Sequence, residues 1–407
     1  MLDRLTKFFA SLKLTVLCLA LGLVLVFVGT MAQDPLGLYL VQERFFRSLF
    51  VDWASMAAAL KKIFQMAGVY LPPSTAQQVL MAPRIPVFPG GYLIGVVLLI
   101  NLITAYADRF KPSRDKSGLG LYLAHGGLIL LLLGQFATES LQVESGMRLI
   151  EDQPKNYSES GSKTELAIVD TSDPRSDLVV AIPDRLLARG GEVRPPGLPF
   201  TLRVQKFLEN SVLAQRGKND PEPPAASAGF GPELKLRPAP VAAKMDERNM
   251  PAAVLEFLTT QGSLGTYVVS LGLSQPQTAT AGGKTYTLMM RPVRYYKPFS
   301  LTLRKFSHDK YTGTDIPKNF SSRVRLQRPD TSEDREMLIY MNNPLRYDGE
   351  TFYQASFDPN DPHVTILQVV RNPGWLTPYL ACVLVGAGLL IQFMSHLFQF
   401  LKKPKTA

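Results

Sequence analysis

The residues best able to do chemistry are four histidines and two cysteines. His125 lies inside the apolar run GLGLYLAHGGLILLLLGQF, about 10 Å from its start if the run is helical. An ionisable side chain in such surroundings is costly, so a function is the default hypothesis. Two interpretations stay open at this point: a ligand to a metal or cofactor, or an interhelical hydrogen bond worth about 1 kcal/mol.

Haem iron is one centre that this histidine suits, because neutral imidazole is a good axial ligand and apolar surroundings accommodate a porphyrin. Small residues form a stripe along one side of the predicted helix: Gly120, Ala124, Gly127 and Gly134. Such a stripe lets a neighbouring helix approach closely. His125 projects about 120–140° away from it. We therefore expect the chain's own helices to pack on this glycine stripe, and a cofactor, a partner subunit or both to lie beside His125.

The other histidines and the cysteines give weaker signals. His396 follows the last apolar run, where a histidine is normally solvated and a ligand role is the alternative. His308 and His363 lie in polar stretches and are interpreted as surface residues. Cys18 and Cys382 sit in apolar runs and form no CxxC pair, which indicates packing. The sequence contains no phosphate-binding loop, zinc-ligand cluster or nucleophile elbow, so no catalytic residue is predicted.

Four apolar runs could position these residues as membrane helices: 14–31, 92–107, 118–136 and 375–393. A bilayer core of about 30 Å needs roughly 20 apolar residues as helix. The run at 92–107 is the shortest and contains Asn101. A cleaved signal peptide is the alternative for the first run, although that run exceeds the usual apolar region of about 7–15 residues.

The net charge of +10 gives these runs a direction, because the basic excess lies beside them. Basic residues precede the first run, fill the gap between the second and third, and end the chain. This bias marks the cytoplasmic side of a membrane and differs from the basic face that binds nucleic acid. We therefore predict a multi-pass membrane protein with both termini in the cytoplasm and a large extracytoplasmic domain.

The predicted organisation has eight parts. They are a tail with the first span (1–31), a partly helical outer loop (32–91), the second span (92–107), a cytoplasmic loop (108–117), the third span (118–136), an outer β-rich domain (137–374) with a flexible excursion (215–250), the fourth span (375–396) and a cytoplasmic tail (397–407).

The outer domain is predicted to be all-β. Segments such as TELAIVD, FTLRVQKF and KTYTLMMR alternate or are β-branched and aromatic, and Gly, Pro, Asn and Asp separate them. About ten short strands without intervening helices indicate a sandwich or an open barrel. The excursion at 215–250 breaks the pattern with NDPEPPAASAGFGPELKLRPAP, a composition typical of a mobile segment.

Several stretches together resemble the ResB (CcsB-type) proteins of the System II cytochrome c maturation machinery. They are the opening FASLKLTVLCLALGLVLVFVGTMAQ, the histidine-bearing YLAHGGLILLLLGQF, the outer-domain YTGTDIPKNFSSRVRL and MNNPLRYDGETFYQASF, and the final VVRNPGWLTPYLACVLVGAGLLIQF. The resemblance extends over nearly the whole chain, and NNPLRYDGETFYQASF is its most specific part.

The resemblance implies a subunit in a bacterial inner membrane that helps to carry haem and present it for thioether attachment to CxxCH motifs of apocytochrome c. The partner would be a ResC (CcsA-type) subunit with a Trp-rich haem motif, which this chain, with two tryptophans, lacks. A thiol-reducing protein is a further implied partner. The family's membrane histidine corresponds to His125, as ligand to the iron of a b-type haem shared with the partner. The second axial ligand would come from another chain or, as the alternative, from His396.

Two other functions compete with this one. The first is a cofactor-free membrane scaffold whose outer domain binds apocytochrome or the partner subunit. The second is a transporter working alone, which is the weaker idea because the sequence shows no inverted repeat.

Overall fold

The computed structural model of the chain describes residues 2–109, 118–173, 175–217, 220–242, 248–310 and 317–402. The chain divides into a helical unit, residues 1–142 and 372–407, and a β unit, residues 143–242 and 247–371. The helices are α1 (Leu2–Phe9), α2 (Leu12–Leu36), α3 (Leu38–Val41), α4 (Trp53–Met66), α5 (Ala76–Met81), α6 (Gly91–Arg109), α7 (Leu119–Leu141), α8 (Asp184–Ala188) and α9 (Thr377–Lys402), with a π-helical turn at Gln42–Phe46.

Three of these helices have the length and apolar composition needed to cross a membrane: α2, α7 and α9 over Thr377–Leu401. These three helices are consistent with a membrane protein. The helix at Gly91–Ala107 is also apolar but shorter than the other three. Three predicted spans thus correspond to long apolar helices, and the second span stays a prediction. The third run continues as helix to Leu141, beyond the predicted end at 136.

A buried amide joins α6 to the start of α2. Asn101 of α6 is 2% exposed, and its Nδ2 donates to the carbonyls of Phe9 and Ser11, at 2.5 and 3.1 Å. The Thr15 hydroxyl donates to Asn101 Oδ1 at 2.7 Å. The helix is interrupted between α1 and α2 at this point, and Asn101 supplies a donor to the backbone on both sides of the interruption.

The β unit contains most of the strands. In chain order they are β1 (Phe50–Asp52) and β2 (Pro86–Pro89) of the helical unit, then β3 (Val143–Ile150), β4 (Pro154–Asp173), β5 (Ser176–Pro183), β6 (Gly191–Val193), β7 (Thr201–Leu208), β8 (Ser211–Gln215), β9 (Leu234–Pro238), β10 (Ala252–Thr259), β11 (Gly262–Ser270), β12 (Gln277–Ala281), β13 (Lys284–Lys310), β14 (Pro317–Arg328), β15 (Glu333–Tyr340), β16 (Leu345–Tyr347), β17 (Glu350–Asp358) and β18 (Asp361–Arg371).

Two hydrophobic cores lie along the long strands β4 and β13. In the first core, the sheet β11-β10-β7-β6 packs on β5, β12 and the adjoining halves of β4 and β13, as a sandwich. In the second, β15-β14-β13-β4-β3-β18-β17-β16 curls around Leu301, Phe352 and their neighbours as a nearly closed barrel. The predicted β-rich domain is therefore confirmed, and it combines both predicted architectures.

The β unit also contains a helix, α8, where strands alone were expected. Within the predicted excursion at 215–250, β9 pairs with β8, and a 3₁₀ turn at Gly231–Glu233 precedes it. Leu234 and Leu236 pack on the buried Val254 and Val268 of β10 and β11. The described part of this segment thus covers the outer face of the sandwich sheet.

Candidate functional site

The glycine stripe of α7 contacts α9. Gly120, Gly127 and Gly134 are the buried residues of α7. A Cβ on Gly120 would lie 2.5 Å from the Gly388 carbonyl oxygen, and a Cβ on Gly134 would collide with Thr377. The two antiparallel helices therefore touch backbone to backbone, as the sequence predicted.

Gly127 gives a direct test of this contact. A Cβ there would lie 2.7 Å from Val385 Cγ2 and 2.9 Å from the Ala381 carbonyl oxygen. We expect Gly127→Ala to destabilise the helical unit by about 1–3 kcal/mol, since α7 and α9 must move apart. Thermal unfolding of the detergent-solubilised protein measures this.

Gly126→Ala is the matched control. A Cβ at Gly126 meets only the Tyr106 hydroxyl, at 3.8 Å, which is an ordinary contact. The better helix propensity of alanine should leave this variant as stable as the wild type or up to about 1 kcal/mol more stable. Equal melting temperatures for the two variants would contradict the close packing.

The His125 side chain has a defined orientation on α7. Its Nδ1 lies 2.8 Å from the Leu121 carbonyl oxygen, one turn earlier. A carbonyl oxygen can only accept, so Nδ1 carries the proton. In the neutral ring, Nε2 then holds a lone pair. This is the arrangement of a metal-ligating histidine, whose other nitrogen donates to a carbonyl or carboxylate.

Nε2 of His125 lies on a face that α6 and α9 leave open. On one side of α7 the glycine stripe meets α9. On another side of α7, Tyr122 of this helix and Tyr106 of α6 form an edge-to-face pair with ring centroids 6.1 Å apart. His125 is partly exposed between them, and its neighbours Leu121 and Leu128 are 42% and 41% exposed. Among the described residues, no side chain hydrogen-bonds Nε2. The face is apolar, with one ligand atom at its centre.

His396 lies far from His125 in the helical unit. Gly127 faces Ala381 and Val385, which places His125 level with about residue 385. His396 is then roughly 16 Å further along α9 at 1.5 Å per residue. Its Nε2 accepts a hydrogen bond from Gln392 Nε2 at 2.8 Å. The structure therefore does not bring these two predicted ligands together.

The histidines of the β unit occupy two different environments. His308 stacks on Phe320 and Phe357, with ring centroids 4.6 Å apart in both pairs, so it is not a simple surface residue. His363 is 67% exposed, and its Nδ1 lies 2.6 Å from Glu151 Oε2. Sequence reasoning missed the aromatic cluster; the spacing of Phe306 and His308 on one face of β13 was its available signal. Across the described ranges, no three His, Cys, Asp or Glu residues form a metal site.

The His363–Glu151 pair predicts a pH dependence. The hydrogen bond that His363 donates to the Glu151 carboxylate, and then the charge of that carboxylate, raise the pKa of His363 above its usual value. A histidine whose pKa is raised in the folded state stabilises the fold when it is protonated. Its contribution is complete below the unfolded-state pKa of about 6.5 and is lost as the pH rises through the folded-state pKa. We expect the melting temperature of the wild type to fall relative to His363→Gln between about pH 6 and pH 8. A difference in melting temperature between the two proteins that stays the same at every pH would contradict a stabilising His363–Glu151 pair.

The comparisons with known proteins concern the β unit. Residues 261–366, from the end of the β10–β11 turn into β18, match the family model of the ResB-like family. Protein NrfI of Wolinella succinogenes is 37% identical to the chain over 103 residues, which is 25% of the chain and 11% of that protein. The chain thus matches about a tenth of this relative's length, and His125 lies outside the family match.

The matched region contains the hairpin β16–β17, whose strands hold NNPLRYDGETFYQASF. The β unit of the chain thus carries a ResB-like region.

Proposed function

We propose that this chain works in cytochrome c biogenesis, as the System II membrane subunit that holds haem while it is presented to apocytochrome c. The family match supports the process. One observation carries the haem-binding part: the His125 Nδ1 hydrogen bond to Leu121, which leaves Nε2 ready to bind iron. The apolar face around it supports a porphyrin rather than a hydrated ion.

The residues of α7 would hold the group by simple means. His125 Nε2 would bind the iron of a b-type haem, and Leu121 and Leu128 would exclude water from the macrocycle. Haem supplies the vinyl groups that form thioether bonds with the cysteines of a CxxCH motif. We assign this chain no acid–base step, and its part is to bind and orient.

A second axial ligand would come from a partner subunit of the ResC (CcsA) type. The separation of roughly 16 Å between His125 and His396 along the helices supports another chain over His396. A thiol-reducing protein would keep the apocytochrome cysteines reduced, as attachment requires.

The proposed topology has four spans, with α6 as the second. The basic flanks of the apolar helices support cytoplasmic termini and a β unit on the other side of a bacterial inner membrane. α6 is 19 residues long, or roughly 28 Å, which reaches across a hydrocarbon core of about 30 Å with little tilt.

Reconstitution tests the proposal. The chain, its ResC-type partner and a CxxCH apocytochrome are co-expressed in a host without its own maturation system. We expect covalent holocytochrome only when both subunits are present, and a b-type haem spectrum from the purified pair. Holocytochrome at equal yield without this chain would overturn the function.

The scaffold function remains the competing candidate, and the position of the family match in the β unit favours it. It predicts that this chain and its partner co-purify and support holocytochrome formation without haem in either subunit. The spectrum of the purified pair separates the two proposals.

A further inference from the structure

Five exposed apolar side chains form a patch on the two-stranded ribbon β1–β2. Leu49, Phe50, Trp53, Ile85 and Val87 are 58%, 53%, 56%, 54% and 44% exposed. Single exposed apolar residues are ordinary, but a contiguous patch without a charged side chain indicates an interaction surface. We call these five residues the ribbon patch.

The backbone brings the five residues together. β1 and β2 pair antiparallel, with Val51 opposite Phe88 and Phe50 opposite Pro89. The Trp53 amide donates to the Ile85 carbonyl at 2.8 Å. Val51 is fully buried and Phe88 packs on the same core. One face of the ribbon therefore belongs to the core of the helical unit, and the other carries the patch.

Buried polar groups hold the ribbon in place. Asp52 and Arg44 form an ion pair at 3.1 Å, with both side chains 7% exposed. Asp52 also accepts from the Ser55 amide at 3.0 Å, which caps α4. A Cβ on Gly90 or Gly91 would collide with the carbonyl oxygens of Ser48 and Phe46. The ribbon is therefore held rigidly in the helical unit, and its apolar face stays exposed.

The ribbon adjoins an apolar helix surface. β2 ends at Pro89 and α6 begins at Gly91, and the Tyr92 amide donates to the Ser48 carbonyl at 3.2 Å. Along α6, four exposed apolar residues recur at helical spacing, and their exposed fractions are 40–48%: Tyr92, Val96, Ile100 and Ile103. The patch thus lies at the end of a helix whose outer face suits lipid chains.

A basic residue borders the patch. Arg84 is exposed and directly precedes Ile85, and within the described part of the chain it forms no salt bridge. At a bilayer surface, an arginine can keep its guanidinium among lipid phosphates while neighbouring side chains lie deeper. Tryptophan favours the same interfacial depth.

We propose that the ribbon patch inserts into the leaflet at the N-terminal end of α6, with phospholipid as its occupant and Arg84 at the level of the phosphates. The ribbon then acts as an in-plane anchor that fixes the loop between α2 and α6 to the membrane surface. This proposal does not depend on haem binding.

The two tryptophans of the chain provide the test. In Trp375→Phe, Trp53 is the sole indole, and the protein is placed in vesicles of phosphatidylcholine brominated on the acyl chains. We expect Trp53 fluorescence to fall about twofold relative to unbrominated vesicles, with little quenching by aqueous acrylamide. Strong acrylamide quenching without bromine quenching would overturn the proposal, and so would quenching by neither, which would indicate a protein cover.

A charged substitution provides the matched comparison. Ile85→Asp, in the Trp375→Phe background, should expose Trp53 to acrylamide and remove the bromine quenching. Tyr70→Asp is the control, because Tyr70 is more exposed, at 88%, but lies outside the patch. Equal Trp53 quenching in both variants would contradict insertion through the patch, and melting in detergent confirms that each variant folds.

Discussion

Replacing His125 with alanine should lower the haem content of the protein, purified with its partner, by about tenfold or more. The loss of a residue that merely orients a metal ligand costs about 10–100-fold in affinity, so loss of the ligand itself should cost at least as much. The hydrogen bond from Nδ1 to Leu121 places the lone pair on Nε2, and alanine removes both. Absorbance of the haem in the purified protein, per mole of chain, measures the effect.

Rescue by imidazole separates a lost ligand from a damaged fold. Small imidazole can enter the space that alanine leaves and bind iron in place of the side chain, so we expect partial recovery of the haem and its b-type spectrum. Leu133→Ala is the control and should keep its haem, because Leu133 is 45% exposed on α7 about two turns beyond His125 and has no assigned role in holding haem. Unchanged haem in His125→Ala would show that His125 is an interhelical or structural residue.

The direction of His125 could be predicted from sequence because it depends on local geometry alone. The 100° step of a helix fixes the angle between Gly127 and His125, and glycine needs a close neighbour to be useful in an apolar helix. The sequence could not identify α9 as that neighbour. That contact depends on the match between Gly120 and Gly388, which are distant in the chain.

The strand boundaries were harder to predict. The sequence predicts KTYTLMMR and FSLTLRKF as separate strands, because Pro292 and Pro298 lie between them and proline normally ends a strand. In the structure they belong to one strand, β13, whose pairing with β4 shifts at Pro292–Arg294 and again at Tyr296–Leu301. Bulges at both places absorb the prolines. No periodic pattern signals this, because the pattern itself is interrupted there.

In the predicted partly helical loop 32–91, helices are present but a short strand interrupts them. Phe45, Phe46, Leu49, Phe50 and Trp53 have helical spacing, but the helix stops before Leu49 and Phe50–Asp52 is a strand. A three-residue strand is too short for an alternating pattern. Its partner β2 ends next to Gly90 and Gly91, which are needed for the close approach to Ser48 and Phe46.

The hairpin β16–β17 has a clearer sequence signal, since Asp348 and Gly349 both have positive φ and form its two-residue turn.

The hairpin β16–β17 depends on a buried ion pair, and we expect Lys297→Met to destabilise the β unit by about 3–5 kcal/mol. Lys297 Nζ lies 2.8 and 2.6 Å from the two carboxylate oxygens of Glu350. The side chains are 3% and 17% exposed. The register shift between Tyr296 and Leu301 turns Lys297 away from the ladder, so that it can reach across to β17. Methionine fills similar space but leaves the carboxylate without a partner and away from water.

A double-mutant cycle separates the cost of the unpaired charge from the loss of packing. Glu350→Gln in the Lys297→Met background removes the buried charge, so this double variant should be more stable than Lys297→Met alone, with a coupling energy of about 1–3 kcal/mol.

Arg325→Met serves as the control, since the side chains of the Arg325–Asp334 pair are 35% and 43% exposed and the pair should contribute about 0–1 kcal/mol. Denaturant unfolding in detergent, followed by the β-sheet signal, is measured for the wild type, Lys297→Met, Glu350→Gln, the double variant and Arg325→Met. If Lys297→Met costs no more than Arg325→Met, water reaches Glu350 and the hairpin is held by packing alone. A large cost would show that Glu350 serves the fold of the β unit, so that partner contacts on this hairpin are to be sought on exposed side chains such as Tyr353, which is 39% exposed.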